Sequence, residues 1–109
     1  MDALSLLAHG LGGVVLANAM PHLVCGLQGR PFQSPFAKPR GVGLSSSTVN
    51  VAWGFANLVI AYLLVLRVGR FDLGVTGDAL AFGLGFLLSG LGLARMFGRL
   101  HGGNHPESP

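Results

Sequence analysis

AFGLGFLLSGLGLA, residues 81–94, decides the fold. Apart from Ser89 every position is apolar or small, so a helix built on it has no face to offer water. A compact soluble bundle needs a wet face on each of its helices. Working outward, the same run extends over 79–97, and two more of its kind cover 4–27 and 49–66. The one charged residue in all three is Arg95. A helix rises about 1.5 Å per residue, so about 20 apolar residues match a hydrocarbon core about 30 Å thick. The chain therefore reads as an all-α membrane protein. It forms a single membrane domain of three transmembrane helices, with a long Pro/Gly-rich first loop at 28–48 and a disordered tail from about residue 101.

Composition agrees. Half the residues are apolar and 10% are charged, against about 25% in soluble domains. Mean hydropathy is +0.60. Eighteen glycines would weaken soluble helices at about 1 kcal/mol each relative to alanine. In a bilayer, unfolding would strand backbone amides in hydrocarbon, and small residues let helices approach closely. The pI near 10 does not signal nucleic-acid binding, because the seven basic residues are spread over loops and helix ends. The single cysteine, Cys25, excludes an intrachain disulfide. Ala17 and Ala19 mimic a signal-peptidase site, but the segment before the first span carries Asp2 and no Lys or Arg. His9 also interrupts the apolar run, so a retained first span is expected.

Arg30, Lys38 and Arg40 lie in the first loop and Arg95 and Arg99 near the C-terminus. Only Arg67 and Arg70 lie in the second loop. The positive-inside rule then favours the N-terminus outside and the C-terminus inside. In the first loop, Pro31, Pro35 and Pro39 block helix, and Phe32 and Phe36 lie four apart. The simpler account is a surface loop whose aromatics dip into the headgroups while its basic residues meet lipid phosphates. The sharper account is a lid or re-entrant segment that closes a site between helices. Any of Ser45, Ser46, Ser47 and Thr48 suits the N-cap of the second span, and Asp78 that of the third.

Polar and small residues mark the helix contacts. In the second span Asn50, Gly54, Asn57 and Ala61 fall on one face, which reads as interhelical glue or as a ligand-contacting stripe. In the third, Ala81, Gly85, Ser89 and Gly92 form one stripe, and Gly83, Gly90 and Ala94 another. Two such faces would let this span touch both others, or one neighbour and a second copy. In the first, Asn18 and His22 share a face, and Pro21 removes a backbone donor. His9 points away from Asn18, toward the side of Ser5, Gly12 and Gly13. Histidine inside a span is a candidate for proton or metal chemistry. However, Met20, His22 and Cys25 match no closed metal-site spacing, and no metal or cofactor is expected. The carboxylates Asp2, Asp72, Asp78 and Glu107 sit at ends, loops or tail, which argues against an intramembrane proton carrier and against catalysis.

The stretch from Asn18 to Asn57 resembles small uncharacterised bacterial integral membrane proteins. The likeness rests on N-x-M-P-H at Asn18, Met20, Pro21 and His22, and on G-R-x-F-x-S-P-F-A at Gly29, Arg30, Phe32, Ser34, Pro35, Phe36 and Ala37. Ser45, Ser46, Asn50 and W-G-x-x-N at Trp53, Gly54 and Asn57 complete it. The resemblance implies a bacterial inner-membrane location and an ordered first loop, and lends no residue a catalytic role. Two functional expectations follow. One is a non-enzymatic packing or accessory protein in the lipid bilayer, assembling with itself or with a larger membrane complex. The other is a ligand-, lipid- or ion-handling site between the first two spans, built from Asn18, His22, Asn50 and Asn57. Arg30 would stand nearby for an anionic headgroup, and the first loop would close the site.

Overall fold

The structure is a computed structural model that describes residues 2–107. The last two residues of the expected disordered tail, 108–109, lie outside the described residues. Three helices account for most of the chain: α1 (Ala3–Leu27), α2 (Ser47–Leu66) and α3 (Thr76–His101). Each is long and apolar enough to cross a membrane. Asp2 caps α1, its carboxylate accepting the Ser5 N–H at 2.7 Å. That bond holds the Asp2 carboxyl below the usual carboxylate range. Ser46 caps α2 through the Val49 N–H. Pro21 sits inside α1 without ending it.

The expected long first loop across 28–48 is interrupted by a short ribbon. A two-stranded antiparallel ribbon, β1 (Phe32–Gln33) and β2 (Leu44–Ser45), lies between α1 and α2, with Phe32 opposite Ser45. The prolines keep helix out of this segment, and the two strands satisfy part of its backbone instead. Phe32 is buried rather than set among headgroups, while Phe36 is exposed and meets Trp53 edge-on at 5.1 Å.

Helix α1 lies between the other two and packs on both. The face that α2 turns to α1 is the Asn50, Gly54, Asn57, Ala61 stripe, continued by Val65. A Cβ on Gly54 would run into Leu23, and one on Gly12 into Val65. On the other side a Cβ on Gly13 would meet the Phe82 carbonyl, and one on Gly85 the Gly10 carbonyl. The Ser89 hydroxyl donates to the Val14 carbonyl at 3.1 Å. Helices α2 and α3 scarcely touch each other among the described residues. Between them lies an apolar groove of about 470 Å³, with Leu16 and Phe82 among its lining. Of the two small-residue stripes on α3, Gly85 and Ser89 of the first are therefore used against α1. A Cβ on Gly83, Gly90 or Gly92 would meet nothing within 4 Å.

Helix α3 begins a turn earlier than expected. Val75 is its N-cap, with no side-chain capping bond, and Asp78 lies in the first turn, almost fully buried. At the other end α3 runs past Phe97 to His101, where Gly102 adopts φ 76° and turns the chain. The chain then folds back, and the Asn104 amide donates to the Arg95 carbonyl at 3.0 Å over Gly98.

Candidate functional site

Asn50 organises the end of the bundle at the ribbon. It sits in the first turn of α2 and is fully buried. Its Nδ2 donates toward three carbonyls, Phe32 at 3.0 Å, Ser45 at 3.1 Å and Ser46 at 3.0 Å. Those three acceptors fix the amide orientation, so Oδ1 must face His22, whose Nδ1 lies 2.7 Å away. Nδ1 therefore carries the proton and donates. In the neutral ring Nε2 is left with the lone pair. The His22 ring is held edge-on by Phe32 at 5.5 Å and by Trp53 at 6.4 Å.

One turn deeper, Asn18 Nδ2 donates to Asn57 Oδ1 at 3.0 Å, and Asn57 Nδ2 donates to the Trp53 carbonyl at 2.9 Å. Asn18 and His22, four apart on α1, thus meet Asn57 and Asn50, seven apart on α2. The structure brings these four residues together and leaves Arg30 out. Arg30 is exposed, and its backbone N–H closes the end of α1 on the Cys25 carbonyl.

The ribbon covers this network. Ser34 and Ser45 share a hydroxyl hydrogen bond of 2.6 Å, and the Ser34 hydroxyl also accepts the Phe36 N–H. The Ser34 carbonyl accepts the Gly41 N–H. The expectation that His101 belongs to a free tail is corrected here. His101 Nε2 lies 2.8 Å from Gln33 Oε1, and its ring stacks on Phe32 at 5.5 Å and 15°. Phe97 meets the same phenylalanine at 4.6 Å. The aromatic face of Phe32 is a better environment for the imidazole ring than open solvent, and the Gln33 amide fixes its edge. A cavity of about 170 Å³ remains under the ribbon, lined by Asn18, His22, Gln33, Ser34, Trp53 and Phe97 among others.

Sequence reasoning missed Phe32, Gln33, Ser34 and His101 as members of this site. The four-residue spacing of Phe32 and Phe36 among prolines was the available signal, but it does not say which ring turns inward. A second polar cluster, at the opposite end of the bundle, joins His9 and Asp78. His9 is fully buried, and its Nε2 lies 3.0 Å from the Val68 carbonyl. Its Nδ1 faces Asp78 Oδ1 at 3.6 Å. Asp78 Oδ2 accepts the Asp72 N–H at 2.9 Å, and Phe71 packs edge-on against the imidazole at 5.1 Å. The expected N-cap role of Asp78 is thereby corrected. Its carboxylate is drawn to His9 on α1 and to the Asp72 amide rather than to a capping position of its own helix.

Neither a protein-family model, nor a curated protein, nor a solved structure matches this chain.

Proposed function

We propose that the protein is a non-enzymatic integral membrane protein that packs in the bilayer as part of an assembly. The assembly is of its own copies or a larger membrane complex, contacted through the outward face of α3. The supporting observation is the emptiness around Gly83, Gly90 and Gly92. Each glycine costs a helix about 1 kcal/mol relative to alanine, and nothing among the described residues uses the close approach it permits. The polar quartet supports the same reading, since Asn18, His22, Asn50 and Asn57 spend hydrogen bonds on each other and on the ribbon. The bacterial inner membrane is implied by the resemblance described above. An orientation with the ribbon and C-terminus inside is favoured by the five basic residues at that end.

The test is cysteine crosslinking in native membranes, with Cys25→Ser as background. Gly90→Cys should form a crosslinked species, and adding Gly83→Leu should weaken it. No crosslink from Gly83→Cys, Gly90→Cys or Gly92→Cys would end this reading.

The small cavity lined by Asn18 and His22 favours a second reading, in which the ribbon closes a site for a small ligand or lipid group. In that case removing the Asn18 or His22 side chain leaves stability unchanged or raises it, because binding sites often sacrifice stability.

A further inference from the structure

The cluster around His9 has a donor missing. A carbonyl only accepts, so the contact with Val68 requires a proton on His9 Nε2. A neutral ring then turns the bare lone pair of Nδ1 toward Asp78 Oδ1, which is itself an acceptor when ionised. Neither atom has a hydrogen-bond partner among the described residues. The residues are 0% and 2% exposed, so bulk water does not reach the pair freely. Nor does a water fit between the two atoms, since 3.6 Å is far short of two hydrogen bonds of about 2.8 Å end to end. Two facing acceptors in a dry site leave both desolvated lone pairs unpaired, and a single proton removes the conflict.

We propose that His9 and Asp78 form a buried proton-binding site that holds one proton more than a neutral histidine and an ionised carboxylate. The proton resides on Nδ1, giving an imidazolium–carboxylate pair, or on Oδ1, giving a carboxylic acid that donates to Nδ1. Its source is water in an adjoining cavity of about 860 Å³, which Asp78 lines together with Ser5, Arg70 and the exposed Asp2 and Asp72. The charged groups around the pair come from every neighbouring element. Asp2 caps α1, Arg67 ends α2, and Arg70 and Asp72 lie in the connection to α3. His9–Asp78 is the one ion-pair contact among the described residues, and Asp72 touches the pair through its backbone N–H on Asp78 Oδ2. The bound proton joins α1 to α3, while Val68 and Asp72 tie in the α2–α3 connection. One protonation event thus bears on all three helices at this end.

The experiment uses the full chain, labelled with ¹⁵N-histidine, in lipid nanodiscs. Nitrogen NMR reports the protonation of each imidazole nitrogen, and infrared spectroscopy reports any protonated carboxyl. Near neutral pH we expect either a doubly protonated His9 or a carboxylic-acid band that Asp78→Asn abolishes. Asp78→Asn supplies an amide N–H that satisfies Nδ1 of a neutral ring, so this variant should fold with His9 singly protonated on Nε2. His9→Gln assigns the His9 signal, and if it does not fold, variants of His22, His101 and His105 assign the signal by elimination. A wild-type spectrum near neutral pH with His9 singly protonated and no carboxylic-acid band overturns the proposal, whatever the variants do.

Discussion

Replacing Asn50 tests whether the polar quartet holds the bundle together. Asn50→Leu strips His22 Nδ1–H of its acceptor and the Phe32 and Ser45 carbonyls of a donor. A net hydrogen bond is worth about 1 kcal/mol in water, and interhelical ones in membranes about 0.6–2 kcal/mol. All three of these contacts tie α2 to other elements, through His22 on α1 and through Phe32 and Ser45 on the ribbon. With a buried N–H left unpaired, the loss should reach about 2–4 kcal/mol. Asn57→Leu removes one interhelical bond, because the Asn57 Nδ2 contact stays within its own helix, and should cost about 1 kcal/mol. Asn50→Asp is the sharper variant. It keeps an acceptor for His22 but points an oxygen at three carbonyl oxygens, so it should destabilise at least as much as leucine. Equilibrium unfolding in mixed detergent–lipid micelles, followed by helicity and Trp53 fluorescence, gives the three values. If Asn50→Leu and Asn50→Asp both stay within about 0.5 kcal/mol of wild type, the quartet is not structural and the reasoning is wrong.

Glycines at the α1–α3 contact and on the outward face of α3 should respond in opposite ways. Gly85→Ala and Gly13→Ala push α1 and α3 apart and should lower stability by about 1–3 kcal/mol in the same micelles. Gly83→Ala should raise protomer stability by up to about 1 kcal/mol, since its Cβ enters open space. Phe32→Ala should cost about 3 kcal/mol and release His101, which limited proteolysis of the ribbon would detect as faster cleavage near Lys38 and Arg40. The Asp2 carboxyl is held low by the Ser5 N–H, so its capping contribution is complete above about pH 4 and fades as pH falls through the lowered value. Asp2→Ala should show weaker amide-exchange protection in the first turn of α1 than wild type at neutral pH, and should match it in strong acid.

The three helices were legible because their apolar runs are close to the hydrocarbon thickness of a bilayer, whatever they pack against. The buried stripe of α2 was legible for a related reason, as Asn50, Gly54, Asn57 and Ala61 repeat at helical spacing and polar amides in a span need partners. Local chemistry narrowed the cap of α2 to Ser45, Ser46, Ser47 and Thr48, and the structure selects Ser46. What local pattern does not carry is which helix lies in the middle. Once α1 takes that place, His22 meets Asn50, and His9 at the far end meets the start of α3. Asp78 looked like an ordinary cap because its partner is on another helix. His101 looked like tail because its partner Phe32 lies in a segment whose prolines suggested a loop. The ribbon strands are two residues each, too short to leave an alternation in the sequence.

The account rests on all three helices crossing a bilayer with the ribbon and the C-terminus on one side. Cysteine accessibility in intact cells and inverted vesicles measures this directly, on a Cys25→Ser background. Lys38→Cys and Asn104→Cys should label from the cytoplasmic side and Leu73→Cys from the opposite side. Leu16→Cys, Ile60→Cys and Leu87→Cys should resist a charged maleimide from both. Ready labelling of those three mid-helix positions, or of Leu73→Cys from the same side as Lys38→Cys, would contradict it.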